Sequence, residues 1–146
     1  MDKVEFLILR NLLHNEEYIR KVVPFLKSEY FEDGNQKIVF EEILTFIQKY
    51  NEPATKEVLC IEVEKRNDIN DTSFKEILHL ISSLEDVPIE FTWLVDTTEK
   101  WCRDRAIYLA LMESIHIADG KDDKKNRDSI PSILSDALAV SFDTHI

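Results

Sequence analysis

Apolar residues recur along this chain at helical spacing, with no convincing alternation of period two. The longest pattern runs from Glu90 to Ala118 without Gly or Pro and predicts one helix of roughly eight turns. Its first half carries one apolar stripe: Phe91, Leu94, Val95, Thr98, Trp101, Cys102 and Leu109. Its second half carries another stripe on roughly the opposite side: Ile107, Leu111, Ile115 and Ala118. A helix whose apolar face changes sides is expected to be buried by two different bodies.

Five shorter helices are predicted before the long one. Their expected positions are residues 2–14, 16–23 (capped by Asn15 and ended by Pro24), 36–50, 56–65 (capped by Thr55) and 71–84. A turn at residues 28–31 places two aromatic side chains, and Asp33-Gly34-Asn35 predicts a break. In the 36–50 helix the residues expected on the inner side are Val39, Phe40, Ile43, Phe46, Ile47 and Tyr50.

The end of the chain predicts a helical hairpin. Residues 119–128 are charged and polar, with no strongly apolar residue, which predicts a solvated loop. Pro131 suits the first turn of a final helix, with Ile133, Leu134, Ala137, Leu138 and Phe142 on one side. This helix should return along the long one and cover its second stripe. The class is therefore all-α, with a helical bundle in residues 1–88 and the long helix with its hairpin in residues 89–146.

Composition narrows the function. The 146 residues include 18 basic and 29 acidic side chains, a net charge of −11 that argues against a role in gripping DNA. The two glycines, Gly34 and Gly120, are isolated, so no phosphate-cradling loop for ATP or a dinucleotide is present. No run approaches the ~20 apolar residues of a membrane span. The N-terminus lacks secretion-signal features, and two cysteines inside helical patterns favour a reducing, cytoplasmic setting.

Two Glu-x-x-His pairs are candidate ligands for a metal site. Glu76/His79 and Glu113/His116 match the spacing that di-iron bundles use. However, Glu76 and His79 point roughly 150° away from the apolar stripe of their helix, and carboxylates from two further helices cannot be placed. We therefore expect chance spacing and no bound metal.

The remaining candidates for chemistry have ordinary structural explanations. His14 and His145 lie near a helix end and the terminus, where capping or exposure is expected. Cys60 and Cys102 form no Cys-x-x-Cys pair, so each is expected in the core or at its boundary. No Ser-His-Asp arrangement can be assembled.

The two tryptophans and the hairpin raise the question of partners. Trp93 and Trp101 lie eight residues apart on or beside the first stripe. We expect large core residues, and the alternative is an aromatic patch that binds a partner. A projecting two-helix hairpin cannot bury both of its apolar stripes, so part should remain exposed and drive self-association. The predicted self-association residues are Ile107, Leu111, Ile115, Ala118, Ile133, Leu134, Ala137, Leu138 and Phe142.

Several stretches of the chain resemble a known family. Residues 28–32 (Ser-Glu-Tyr-Phe-Glu), 93–95 (Trp-Leu-Val), 98–100 (Thr-Glu-Lys) and 141–143 (Ser-Phe-Asp) carry the likeness, together with the order of the helices. The chain resembles the N-terminal domain of DnaB-like replicative DNA helicases, most closely those of T-even-type phages. The resemblance covers residues 4–143.

The resemblance implies an assembly role. In that family the hairpins pair, and the N-terminal domains form a collar on a hexameric ring, arranged as a trimer of dimers. The collar helps to admit single-stranded DNA and docks primase and, in some members, a helicase loader. ATP, Mg²⁺ and most DNA contacts belong to a motor domain that follows through a linker, so these 146 residues are not expected to be an enzyme or to bind a cofactor.

Two other functions compete with this one. The first is a stand-alone acidic adaptor that binds another protein and has no helicase motor. A Walker A motif downstream of residue 146 in the same reading frame would decide against it. The second is a helical-bundle metal enzyme, which stoichiometric iron in the purified protein would reveal.

Overall fold

The computed structural model describes residues 3–143, and all regular structure in that range is helical. The seven α-helices are α1 (Lys3–His14), α2 (Glu16–Val22), α3 (Gly34–Tyr50), α4 (Lys56–Glu64), α5 (Asp71–Ser82), α6 (Phe91–Ala118) and α7 (Ile130–Leu138). Short 3-10 turns occupy Val23–Phe25, Ser28–Tyr30 and Arg127–Ser129. The predicted all-α class is confirmed.

Side-chain caps begin most of the short helices. Asn15 accepts a hydrogen bond from the Tyr18 amide, and Thr55 accepts one from the Val58 amide. Each satisfies a backbone donor that the first helical turn leaves free. α5 begins in the same way, since Asn70 accepts a hydrogen bond from the Ser73 amide. The caps at Asn15 and Thr55 confirm the positions expected from the sequence.

The predicted break before α3 is instead the start of that helix. Asp33 is its N-cap and accepts hydrogen bonds from the amides of Asn35 and Gln36. Because the cap satisfies these donors, Gly34 and Asn35 join the first turn. The other end is as expected: Asn51 adopts the left-handed conformation with φ of 55° and terminates the helix. Tyr50, expected on the inner side, is 55% exposed, and its ring packs at a tilt of 44° against that of Phe46 at the last turn.

The core of the bundle is built from aliphatic side chains around two aromatic anchors. Phe31, placed by the turn at Ser28–Tyr30, stacks on Phe40 of α3 with ring centroids 4.9 Å apart. The Ser28 hydroxyl donates to Glu41 at 2.7 Å and fastens this turn to α3. Fully buried neighbours include Ile8, Leu9, Leu12, Tyr18, Val22, Val39, Ile43, Leu59, Val63, Ile77, Ile81 and Leu84.

Arg66, in the turn after α4, holds three carboxylates. Its guanidinium lies 2.7 Å from Glu42, 3.3 Å from Glu41 and 2.7 Å from Asp68. Because its side chain is only 19% exposed, these bonds compensate a partly desolvated charge. The hydrogen bond from Arg66 lowers the pKa of Asp68, and the same carboxylates raise the pKa of Arg66. Together with the Ser28–Glu41 bond, this network ties the 28–30 turn, α3 and the α4–α5 connection.

The chain divides into two compact units between Val95 and Asp96, inside α6. The boundary expected from the sequence, between residues 88 and 89, lies just before α6 begins. The first unit contains α1 to α5 and the first turn of α6. The second contains the rest of α6, the turn and α7.

The buried face of α6 changes sides along its length, as its pattern predicts. In the second half, however, the buried residues are not those of the predicted second stripe. Leu94, Thr98, Trp101 and Cys102 are buried in the first half. In the second half the buried residues are Ala110, Ser114 and Ile117, whereas Leu111 and Ile115 are 48% and 54% exposed. The prediction that the returning helix covers Leu111, Ile115 and Ala118 is therefore wrong.

The Arg66 network predicts a measurable stability difference. At neutral pH, Arg66→Ala should lower the free energy of unfolding by about 2 kcal/mol, because it leaves the poorly exposed Glu42 without its partner. Asp68 has a lowered pKa in the folded state, so its contribution is present above its unfolded pKa and is lost as pH falls below about 4. The difference from the parent should shrink accordingly in urea unfolding at acidic pH.

Lys65→Ala is the matched control for this experiment. Lys65 precedes Arg66 and pairs only with Glu62, at 3.2 Å, while its side chain is 66% exposed. An exposed pair of this kind contributes roughly 0.5 kcal/mol or less. Equal losses from the two substitutions would contradict a special role for Arg66.

Candidate self-association surface

An apolar stripe is exposed along the second half of α6. Tyr108, Leu111 and Met112 are each 48% exposed, and Ile115 is 54% exposed. At roughly 100° per residue these four side chains fall within about 100° of one another, so they are neighbours on one side of the helix. We call these four residues the outer stripe. The guanidinium of Arg105 lies over the Tyr108 ring, 5.0 Å from its centroid, at the start of the stripe.

The opposite side of α6 carries a second line of residues. Glu99, Arg103, Ala110, Ser114 and Ile117 lie within roughly 60° of one another around the helix. Ala110, Ser114 and Ile117 are buried. We call this set the inner line, and its centre is roughly 150° from the outer stripe.

Two polar side chains of the inner line hold the segment that follows α7. The carboxylate of Glu99 accepts hydrogen bonds from the Phe142 amide at 2.6 Å and from the Ser141 hydroxyl at 3.3 Å. One turn along α6, Arg103 Nε donates to the Val140 carbonyl at 3.0 Å. We call these contacts the Glu99–Arg103 clamp. They fix the chain after α7 to the inner line.

The clamp also explains why Phe142 is not on the last helix. The sequence predicted that the last helix extends as far as Phe142. α7 instead ends at Leu138, four residues earlier. Main-chain groups of residues 140 and 142 bond to α6 side chains rather than continuing the helix ladder. The Phe142 side chain is buried at this point, with 4% exposure.

The turn between α6 and α7 is closed by specific hydrogen bonds. Gly120, with φ of +72°, ends α6 in a Schellman motif: its own amide donates to Ile117 and the Lys121 amide donates to His116. Lys125 pairs with Glu113 at 2.7 Å, and Arg127 donates to the Ala118 carbonyl at 3.1 Å. Most side chains of residues 119–128 are exposed, as expected for a solvated loop.

The predicted self-association residues separate into three groups. Leu111, Ile115, Ala118 and Leu138 are exposed. Ile107, Ile133 and Leu134 are half-buried. Ala137 and Phe142 are buried within the chain and are not part of an exposed surface.

Four residues that matter here were missed in the sequence. Tyr108 and Met112 complete the outer stripe, and their spacing from Leu111 and Ile115 was an available signal. Glu99 and Arg103 sit one turn apart, but nothing local in the sequence indicates that they bind residues 140–142.

The sequence of this chain is similar to those of known proteins. Residues 2–91 match the sequence model of the DnaB-like helicase N-terminal domain. The chain belongs to the DnaB-like helicase N-terminal domain family. It is also similar to a DnaB-like replicative helicase of Enterobacteria phage T4, with 32% identity over 148 residues. That similarity covers 96% of this chain, including the hairpin, but only 31% of the phage protein.

The Glu-x-x-His positions of this DnaB-like domain lie at its surface. Glu76 and His79 are exposed, and Glu76 accepts a hydrogen bond from Asn35 at 3.0 Å. Glu113 pairs with Lys125, and His116 is exposed. Within residues 3–143, no group of three His, Cys, Asp or Glu side chains is arranged to hold a metal ion.

The histidines and tryptophans considered in the sequence analysis differ in their surroundings in this DnaB-like domain. His14 Nε2 lies 2.7 Å from the Leu84 carbonyl and links the end of α1 to the chain after α5. His145 lies outside the described residues. Trp101 is buried as expected, but Trp93 is 52% exposed, so its expected place in the core is wrong. Among residues 3–143 no helix has the length and apolarity needed to cross a bilayer.

The two cysteines of the domain differ in exposure, and the core or boundary positions expected for them are confirmed. Cys60 is half-buried, whereas Cys102 is fully buried, and burial together with the nearby Glu99 charge raises the pKa of Cys102 to about 12.

Since the thiolate is the reactive form, we expect one thiol to react with a maleimide at pH 8 in the folded domain and two in denaturant. Mass spectrometry would count them. Labelling of folded Cys60→Ser would contradict this assignment.

The Glu99–Arg103 clamp predicts a local effect. Glu99→Ala removes the acceptor of the Phe142 amide, so this amide should exchange with solvent at least about tenfold faster and unfolding should become easier by about 2 kcal/mol. Amide exchange measured by NMR checks the first effect and urea unfolding the second.

Glu113→Ala is the control, because it removes a carboxylate from the same helix that pairs only with a partly exposed Lys125. It should leave exchange at Phe142 unchanged. Unaltered exchange at Phe142 in Glu99→Ala would rule out the clamp.

Proposed function

We propose that this domain is the N-terminal assembly domain of a hexameric replicative DNA helicase and that its hairpin carries self-association. The observation that carries the proposal is the outer stripe: four large apolar side chains, adjacent on one helix, remain about half exposed. Contiguous apolar surface of this kind marks association sites. Family membership supplies the helicase context.

The size of the outer stripe indicates what kind of interface it can form. A fully buried aromatic such as Tyr108 covers roughly 150–250 Å², and the three aliphatic residues are somewhat smaller, so the four half-exposed residues leave on the order of 300–400 Å². A standard interface buries about 800 Å² per partner, so the outer stripe would form its centre and further surface must contribute. Leu138, which is 65% exposed, and Ala118 are the other predicted association residues that are exposed.

Symmetry favours pairing with a second copy. Two identical apolar stripes related by a two-fold axis cover each other, and the arrangement closes without leaving a free stripe. In the proposed parent helicase three such pairs make a trimer of dimers, which forms a collar on the hexameric ring. The collar would help to admit single-stranded DNA and would dock primase and, in some members, a loader.

Neither glycine of this domain lies in a backbone arrangement that could bind the phosphates of ATP. Gly34 is preceded by Asp33, whose carboxylate already accepts the helix amides that a phosphate would need. Gly120 ends α6 rather than beginning a helix. We therefore assign ATP, Mg²⁺ and strand separation to parts of the proposed helicase outside these residues. The net charge of −11 likewise suits a domain with little direct DNA binding.

Self-association can be tested with one charge in the outer stripe. Leu111→Asp places a carboxylate where the pairing would desolvate it, so it should abolish dimers. Sedimentation velocity over a range of concentrations should show the parent mass rising with concentration and Leu111→Asp remaining monomeric.

The matched control is Ile61→Asp on α4. Ile61 is also 48% exposed, so the substitution has the same chemistry on a similarly accessible site of the other unit. It should associate like the parent. An unchanged mass in both parent and Leu111→Asp, or an equal loss in Ile61→Asp, would refute the role of the outer stripe.

A further inference from the structure

A second apolar surface lies in the first unit, between α1 and the first turn of α6. It is an open groove of about 470 Å³ lined by Lys3, Val4, Phe6, Leu7, Arg10 and Trp93. This volume is large enough for a few side chains of a partner and is in the range of ordinary binding pockets. We call it the cationic groove, because its two charged lining residues, Lys3 and Arg10, are both basic.

Trp93 is presented to solvent by a fixed backbone. Its amide donates to the Glu90 carboxylate at 2.6 Å, which caps the first turn of α6. The neighbouring Leu94 is fully buried and anchors the same turn. The indole therefore stands on an ordered helix end yet remains 52% exposed. Exposed tryptophan on rigid backbone is a feature of binding hot spots.

Arg10 is half-buried, and no acidic residue is among the described residues that line the groove around it. Its Nε is buried and has no hydrogen-bond partner among the described residues. The guanidinium lies over the Phe6 ring, 6.0 Å from the centroid, a contact that replaces only part of the lost hydration. A guanidinium that is partly removed from water favours a carboxylate partner, and a docked carboxylate would bond to its terminal amino groups.

We propose that the cationic groove docks an acidic amphipathic peptide segment of a partner protein. An apolar side chain of the segment packs against Phe6 and Trp93, and a carboxylate pairs with Arg10, with Lys3 as a second cation. Charge complementarity carries this choice, since the described residues that line the groove include two cations and no acid, in a chain of net charge −11. The proposal is independent of hairpin pairing, which uses the other unit.

Single-stranded nucleic acid fits the groove less well. A strand would stack on Trp93 but needs a track of cations along its backbone. Within residues 3–143, Lys3 and Arg10 are the only cations that line the groove, and the chain as a whole repels a polyanion. A peptide needs only one or two carboxylates and matches the mostly apolar lining.

A random library of displayed 12-residue peptides, selected against the immobilised full chain, tests the proposal. Enriched peptides should combine an aromatic or leucine residue with at least two acidic residues. Trp93→Ala and Arg10→Glu should each weaken their binding by about tenfold or more, and added salt should weaken it further. Because Arg10→Glu alters a partly buried site, the exposed Trp93→Ala keeps the test valid if that variant does not fold.

Lys21→Glu is the matched control, since it makes the same change of charge at an exposed position of α2 outside the groove. It should bind the selected peptides like the parent. Enrichment of basic peptides, or no enrichment beyond that obtained with Trp93→Ala, would overturn the proposal. So would binding of oligothymidylate that Arg10→Glu, but not Lys21→Glu, abolishes.

Discussion

The Glu99–Arg103 clamp is the constraint on which the second unit depends. α7 has only nine residues, too few to hold its position through helix propensity alone. The chain after it is fixed by hydrogen bonds to two side chains one turn apart on α6. Apolar burial has no direction, whereas hydrogen bonds do, so the clamp decides which side of α6 the returning chain follows.

The exposed outer stripe follows from that decision. Because the returning chain is held on the inner line, it does not bury the outer stripe, which lies on the roughly opposite side of α6. The buried members of the inner line include Ala110 and Ser114, which offer little apolar area, while Leu111 and Ile115 stay exposed. A chain optimised only for its own stability would bury the larger side chains. The arrangement makes sense if a second copy completes the surface.

The first unit is stabilised differently. Its helices are set by caps and by an aliphatic core around Phe31 and Phe40, and Arg66 joins three carboxylates at its surface. Such a bundle can present binding surface without losing its fold. The cationic groove uses this property, because Trp93 is exposed on a helix end that Glu90 and Leu94 hold in place.

The sequence by itself determined the helical class, the positions of most helices and the change of buried face along α6. These features depend on local spacing, on caps such as Asn15 and on terminators such as Asn51, all of which act within a few residues. Only the tertiary structure decided that Ala110 and Ser114 are buried in place of Leu111 and Ile115, and that Trp93 is exposed. Hydropathy favours burial of the larger apolar side chains, Leu111 and Ile115, and therefore selects the side that the structure leaves exposed. Here the choice rests on Glu99 meeting Phe142, 43 residues away, a contact with no local signature.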